Sequence, residues 1–188
     1  MPMNRRDAVA RLLENRGELL VVSGLGSPTY DVAAAGDDPR NFYLWGAMGA
    51  ASLIGLGLAL AQPRKRVLVV TGDGELLMNL GGLATIAVQQ PANLAIAVLD
   101  NERYGETGMQ KSHTAHGVDL AAIAKGAGFP IAETVADLAA LDRLVPTLRG
   151  VAGPILAVLK IDTAEAPRVL PSRDGVEIKN RFRRALGV

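Results

Sequence analysis

The sequence contains no cysteine among its 188 residues, which excludes a disulfide framework, a thiolate metal site and a cysteine-ligated iron–sulfur cluster. Aromatic residues are few, at one Trp, three Tyr and three Phe. Excess charge of either sign is missing, since the formal net charge is +1. That leaves no electrostatic case for binding nucleic acid or an anionic membrane surface. A long apolar run is also absent: the longest, Ala47 to Ala61, is broken by glycines and stops short of the roughly 20 residues that span a bilayer. The opening Met-Pro-Met-Asn-Arg-Arg-Asp has no apolar core of the signal-peptide kind, so the cytoplasm is the expected compartment.

What the chain does have is apolar bulk. Ala, Val, Leu, Ile, Met and aromatics make up 49% of it, enough to give one domain, residues 1–188, a sizeable core. Short β-branched runs alternate with helix-like segments. Asn4 to Arg16 reads as a helix, Leu19 to Ser23 as a strand, and Ser27-Pro28 as an N-cap with proline at the first helical position. Phe42 to Leu44 is a short strand, and Ala47 to Leu60 a helix packed tightly through Gly55 and Gly57. Strand 66–71, helix 75–89 and strand 94–99 follow. Asp119 caps a helix to about Gly126, Ile131 to Thr134 is a strand, and Ala136 to Arg149 is a helix. Pro154 to Ile161 is the last strand, before a tail over 163–188 in which Asp174 caps a helix over Val176 to Leu186. Six strands alternating with helices predict an α/β fold, a doubly wound, six-stranded parallel sheet with helices on both faces.

Two motifs fall where such a sheet binds ligands. Gly72-Asp73-Gly74 ends one strand, and Asn101, 28 residues beyond Asp73, follows the next. A strand–helix–strand crossover makes the two strands parallel and brings their carboxyl ends side by side. Asp73 and Asn101 then offer two hard oxygens to one small cation, while glycines admit backbone N–H groups to a phosphate. Gly24-Leu-Gly26 also follows a strand, but Thr29 stands where a dinucleotide fingerprint needs its third glycine, so it reads as a tight turn.

The Gly-Asp-Gly…Asn pattern resembles the signature of thiamine diphosphate-dependent enzymes. Three further segments carry the resemblance: Trp45-Gly46-Ala47-Met48-Gly49 with the glycine-rich helix after it, Leu76 to Ala87 after the diphosphate loop, and Tyr104 to Gln110. The resemblance implies thiamine diphosphate and Mg²⁺ as cofactors. It implies Asp73, Asn101 and the Arg103 carbonyl as metal ligands, a set that suits the oxygen-rich octahedron of Mg²⁺. It places Gly46, Ala47 and Met48 at the aminopyrimidine, with Met48 bending the cofactor, and Gly72, Gly74, Glu75, Tyr104 and Gly105 around the rest of it. It also puts Gly24 and Ser27 at its border. The absence of cysteine excludes the ferredoxin-dependent branch of this family.

Individual positions depart from the family pattern. Glu75 is expected to point away from the diphosphate and cap its own helix. Asp100 replaces the first member of the usual Asn-Asn pair and is expected to face away from the metal. Arg103 stands where glycine is common, which predicts strain there. Glu106 lies in the segment that reaches the reacting carbon in related decarboxylases, so it is either a proton shuttle or a solvated carboxylate. His113 and His116 are either substrate-side donors or solvated loop residues. Glu102 to Gly117, the longest loop, is expected to be loosely anchored and to close over the cofactor. Lys179, Arg181, Arg183 and Arg184 read as one solvated helix face, or as an anion-binding one.

The family needs a second, pyrimidine-binding domain that supplies an activating Glu. The resemblance therefore implies a β-type subunit, with a partner α subunit or self-association completing the site through the Met48 and 102–117 face. Within the family the similarity, running from about Leu19 through Asp174 to Phe182, is to the sulfopyruvate and phosphonopyruvate decarboxylase branch. That branch converts a small 2-oxoacid to an aldehyde and CO₂. Another split decarboxylase or carboligase, or a non-catalytic cofactor-binding subunit, also accommodates these residues.

Overall fold

The computed structural model describes residues 2–188. Helix α1 (Arg5–Leu13) begins at Asn4, whose side chain accepts from the N–H groups of Arg6 and Asp7. Strand β1 (Leu20–Ser23), helix α2 (Ser27–Ala34), strand β2 (Asn41–Tyr43) and helix α3 (Ala51–Ala61) follow. Strand β3 (Val67–Gly72) leads into two helices, α4 (Asp73–Leu77) and α5 (Gly81–Gln89), before strand β4 (Leu94–Asp100). A small antiparallel hairpin, β5 (Arg103–Tyr104) and β6 (Gln110–Lys111), precedes α6 (Leu120–Ala127) and β7 (Ile131–Val135). Helix α7 (Leu138–Gly150), strand β8 (Ile155–Lys160) and helix α8 (Gly175–Leu186) complete the chain.

The main sheet has the order β2-β1-β3-β4-β8-β7, and every pairing is parallel. Its central strands are buried on both faces, which is why β3, β4 and β8 are continuous apolar runs without alternation. Val21, Leu68, Val70, Ala95 and Ala97 face a core built with α1, α2 and α7. Leu20, Val22, Val67, Val69, Ile96 and Val98 face the opposite core, built with α3, α5 and α6. Helix α8 closes the β2 edge through Ile178 and Phe182, one turn apart, with Phe182 edge-on to Phe42 at 5.5 Å.

Several expectations are corrected. Helix α3 starts at Ala51 rather than Ala47, because positive φ angles at Ala47 (61°) and Gly49 (89°) make a turn there. Gly55 does pack tightly, as a Cβ would lie 2.2 Å from Val69, but Gly57 faces open space. The N-cap of α2 is Gly26, at φ 73°, so Ser27 and Pro28 are already helical. The single helix expected over 75–89 is broken at 78–80. Asn79 makes the break: its amide donates to Gly49 O (3.1 Å) and its Oδ1 accepts from Gly82 N (3.2 Å), which pins the Met48 turn and restarts the helix. Arg181 is not simply solvated, since it pairs with Asp37 at 2.7 Å and lies over the Tyr43 ring.

Candidate functional site

Register pairs Gly72 with Leu99, so the residues after them leave the sheet side by side. A cleft opens there. Met48, Gly72, Asp73, Gly74, Glu75, Asn101, Arg103, Tyr104, Gly105 and Glu106 all line it. Ser27 lines it too, but Gly24, Gly46, Ala47 and His113 do not. Leu25, Leu99 and Ile161 make its apolar walls.

Asp73 is the first residue of α4 and only 1% exposed. Its Oδ2 accepts from Ser112 Oγ at 2.5 Å and from Thr114 Oγ1 at 3.2 Å. Burial pushes this carboxyl above its ordinary value, against those two hydrogen bonds, and the neighbouring Asp100 adds to the rise. A buried carboxylate with this bias is stabilised by a cation placed against it. The 102–117 loop is therefore anchored in its second half, where Ser112 and Thr114 are buried under Asp73. Residues 105–111 form its longest exposed stretch. That anchorage is long-range and invisible in local composition.

Glu75 does not cap its own helix. It is 5% exposed, accepts from Thr71 Oγ1 at 2.9 Å, and receives the N–H of Ala51 at 3.4 Å. It thus caps α3 and fixes the turn that carries Met48. Burial raises its carboxyl above the usual range. The same side chain explains Gly24, because a Cβ there would lie 1.8 Å from Glu75 Oε2. Gly24 makes room for a carboxylate rather than for a ligand.

Asn101 Oδ1 accepts from Arg103 N at 2.9 Å, closing a tight turn. The positive φ falls on Glu102, at 61°, so the strain expected at Arg103 sits one residue earlier. Asp100 is buried and turned away: it accepts from Lys160 Nζ and Thr114 Oγ1, both at 2.8 Å. Desolvation alone would lower the Lys160 ammonium, but its bonds to Asp100 and Glu102 hold it above its usual value. Tyr104 lies over Gly74, where a Cβ would meet its ring at 2.6 Å, and its hydroxyl is 3.3 Å from Nδ1 of the exposed His113. His116 is exposed as well.

Among the described residues no three or more His, Asp, Glu or Cys side chains gather around a common point. A cation here would draw on Asp73, the Asn101 amide and the Arg103 carbonyl, with its remaining ligands from elsewhere. That donor set is all oxygen with one carboxylate, which fits Mg²⁺ carrying a phosphate-bearing cofactor. Sequence reasoning missed Ser112, Thr114, Lys160 and Arg5. The first three hold acids across long sequence separations, and Arg5 lay unremarked in an ordinary helix.

The sequence matches the family described as thiamine pyrophosphate enzyme, C-terminal TPP binding domain, over residues 25–159. The chain belongs to this family. It is 41% identical over 182 residues to a sulfopyruvate decarboxylase subunit beta of Methanothermobacter thermautotrophicus, covering 97% of this chain and 95% of that protein. It is 38% identical to a phosphonopyruvate decarboxylase of Streptomyces viridochromogenes, over 94% of this chain and 44% of the relative. In fold it is similar to the benzoylformate decarboxylase of Polynucleobacter necessarius, with a TM-score of 0.74 at 21% identity, over 89% of this chain and 34% of that one. The thiamine pyrophosphate enzyme fold expected from the motifs is thus met, as is the doubly wound parallel sheet. No helix among the described residues is long and apolar enough to cross a membrane.

Proposed function

We propose that this chain is the β-type subunit of a two-chain, thiamine diphosphate- and Mg²⁺-dependent decarboxylase. Its substrate is a small 2-oxoacid with a second strongly acidic group, sulfopyruvate or phosphonopyruvate, and its products are the aldehyde and CO₂. The observation that carries this reading is the buried Asp73 beside Asn101 at adjacent strand ends, in a chain colinear with a sulfopyruvate decarboxylase subunit beta.

Asp73, Asn101 and the Arg103 carbonyl would hold the metal, and Gly72, Gly74, Tyr104 and Gly105 would border the diphosphate. Met48, on the turn fixed by Glu75 and Asn79, would pack against the cofactor, with Gly46 and Ala47 on the same turn but outside the cleft lining. When bound, thiamine diphosphate supplies the electron sink for the pair left as CO₂ departs. Leu25, Leu99 and Ile161 keep water from the cleft. Glu106, exposed at its mouth, is the chain's proton-handling candidate, with His113 acting through Tyr104. A partner α subunit supplies the activating Glu and covers the Met48 face, and the complex works in the cytoplasm.

The test is co-expression with a candidate pyrimidine-domain partner and measurement of CO₂ release from sulfopyruvate, phosphonopyruvate and pyruvate, with thiamine diphosphate and Mg²⁺. Release from an acid-bearing substrate by the pair, and none by either chain alone, is expected. Robust decarboxylation by this chain alone overturns the two-chain reading. Activity only on pyruvate overturns the substrate class.

A further inference from the structure

Asn101 and Arg103 line the cofactor cleft, whereas Asp100 and Glu102, the residues on either side of Asn101, do not. One side chain meets both of them behind the turn. Lys160, the last residue of β8, lies opposite Asp100 in the strand register. Its Nζ donates to Asp100 Oδ2 at 2.8 Å and to Glu102 Oε1 at 2.7 Å.

The two bonds have different consequences. Asp100 is buried, and a buried carboxylate requires a cationic partner, so the first bond follows from burial alone. Glu102 has no such need, because its side chain is 40% exposed and open to water. What Glu102 carries is the turn itself. Its φ of 61° lies in the left-handed region, which an L-residue enters only at a cost. Its backbone is pinned on other sides as well: Glu102 N donates to Asp100 Oδ1 at 3.1 Å, and Glu102 O accepts from Ser112 N at 3.0 Å. The second Lys160 bond therefore holds the residue whose backbone decides where Asn101 and the Arg103 carbonyl face.

The same network reaches the other strand end. Thr114 Oγ1 lies 2.8 Å from Asp100 Oδ1 and 3.2 Å from Asp73 Oδ2. Asp100 thus ties Lys160 on β8 to the turn after β4 and, through Thr114, to Asp73 after β3.

We propose that Lys160 is a positioning residue for the metal site, a two-armed clamp whose bonds to Asp100 and Glu102 hold the Asn101–Arg103 turn in register with Asp73. It acts from behind the turn and lines no part of the cleft. This rests on the function proposed above, in which Mg²⁺ sits among Asp73, Asn101 and the Arg103 carbonyl.

The test is calorimetric titration of Mg²⁺ into the full chain with thiamine diphosphate present, beside a melting curve of each protein. Lys160→Met should weaken Mg²⁺ about tenfold, the low end for groups outside a metal's own ligands, because it acts through the ligands' neighbours. Glu102→Ala cuts only the exposed arm and leaves Asp100 paired, which keeps the inference testable if Lys160→Met fails to fold. It should weaken Mg²⁺ about three- to fivefold, with Tm within about 2 °C of wild type. Lys160→Arg, whose fork can span both carboxylates, should stay within about threefold of wild type. In the weakened variants excess Mg²⁺ should restore binding of thiamine diphosphate, a recovery that a damaged fold would not show.

Wild-type Mg²⁺ affinity in Glu102→Ala overturns the clamp and leaves Lys160 as the charge partner of Asp100. So does a loss of affinity that excess Mg²⁺ fails to restore. If the wild type itself binds no Mg²⁺ with thiamine diphosphate, the cofactor reading falls and takes this inference with it. If binding depends on Asp73 but not on Lys160, this inference alone falls.

Discussion

The two ends of the sheet use polar residues in opposite ways. At the N-terminal ends of the strands, half-buried donors bind backbone carbonyls. Arg66 donates to Leu148 O, Ala92 O and Val151 O at 2.7, 3.0 and 2.9 Å. Asn93 Nδ2 donates to Ala59 O, Gln62 O and Lys65 O, and Arg149 donates to Leu12 O. At the C-terminal ends three carboxylates are buried, Asp73, Glu75 and Asp100, 1%, 5% and 3% exposed, with Thr71, Ser112 and Thr114 donating to them. The direction of the chain explains the contrast. Helices of a parallel α/β fold end at the strand starts, where they leave carbonyls unpaired, and begin at the strand ends, where they leave N–H groups unpaired. Donors at the first end close the structure. Acceptors and open N–H groups at the second leave an incomplete polar site, which a cation and an anion can complete together.

The comparison breaks if removing charge at the top harms the fold. Asp73→Asn keeps the shape and the hydroxyl contacts but removes the carboxylate. Outer-shell partners of a metal are worth roughly 10- to 100-fold in affinity, so a direct ligand should cost at least about a hundredfold in binding of thiamine diphosphate with Mg²⁺. Thermal stability should hold or rise, because burial already disfavours the ionised Asp73. Calorimetric titration and a melting curve on the same sample check both halves. A large drop in Tm with unchanged affinity would make Asp73 structural.

The opposite pattern is expected at the other end. Arg66→Ala leaves three carbonyls without their donor, and should cost about 2–3 kcal/mol of stability. For a chain of this length that corresponds to roughly 4–12 °C in Tm. Affinity for the cofactor in the surviving folded protein should be unchanged, since Arg66 and the cleft lie at opposite ends of β3. Denaturant titration gives the first quantity and cofactor titration the second.

How much of this was legible in the sequence follows the range of the interactions. Strand order within the β3–β4 unit, the adjacency of Asp73 and Asn101, and the caps Asp119 and Asp174 were local or one crossover apart, and periodicity and spacing reveal such features. Asp100, expected to face away from a metal, lies buried against Lys160 and Thr114 and outside the cleft lining. What escaped depends on groups distant in sequence. Glu75 caps a helix 24 residues earlier, Thr114 reaches Asp73 from 41 residues away, and Asn79 breaks a helix to hold Gly49. The local signal for the break, Asn79 with Gly81 and Gly82 after it, is weak beside the apolar pattern that continues through Leu83 and Ile86.

The smallest effect expected concerns two aspartates that the ends of the sheet shift in opposite directions. Asp73 is raised by burial, whereas Asp38, just before β2, is lowered chiefly by hydrogen bonds from Arg40. Asp38 accepts from Arg40 N, Nε and Nη2 at 2.7, 2.9 and 2.8 Å. A carboxylate whose folded pKa is depressed contributes stability that is present above its unfolded value, about 3.9, and lost as pH falls through the folded value. The pair is partly solvated and screened, so Asp38→Asn should cost under about 1 kcal/mol at pH 7. That difference from the wild type should narrow as pH falls below about 4, and 0.5 M salt should shrink it at neutral pH. Urea titrations of both proteins at pH 7 and pH 3.5 measure it. A gap that stays constant with pH would show that Asp38 acts through the shape of its turn, and the contrast with Asp73 would then be one of packing rather than of charge.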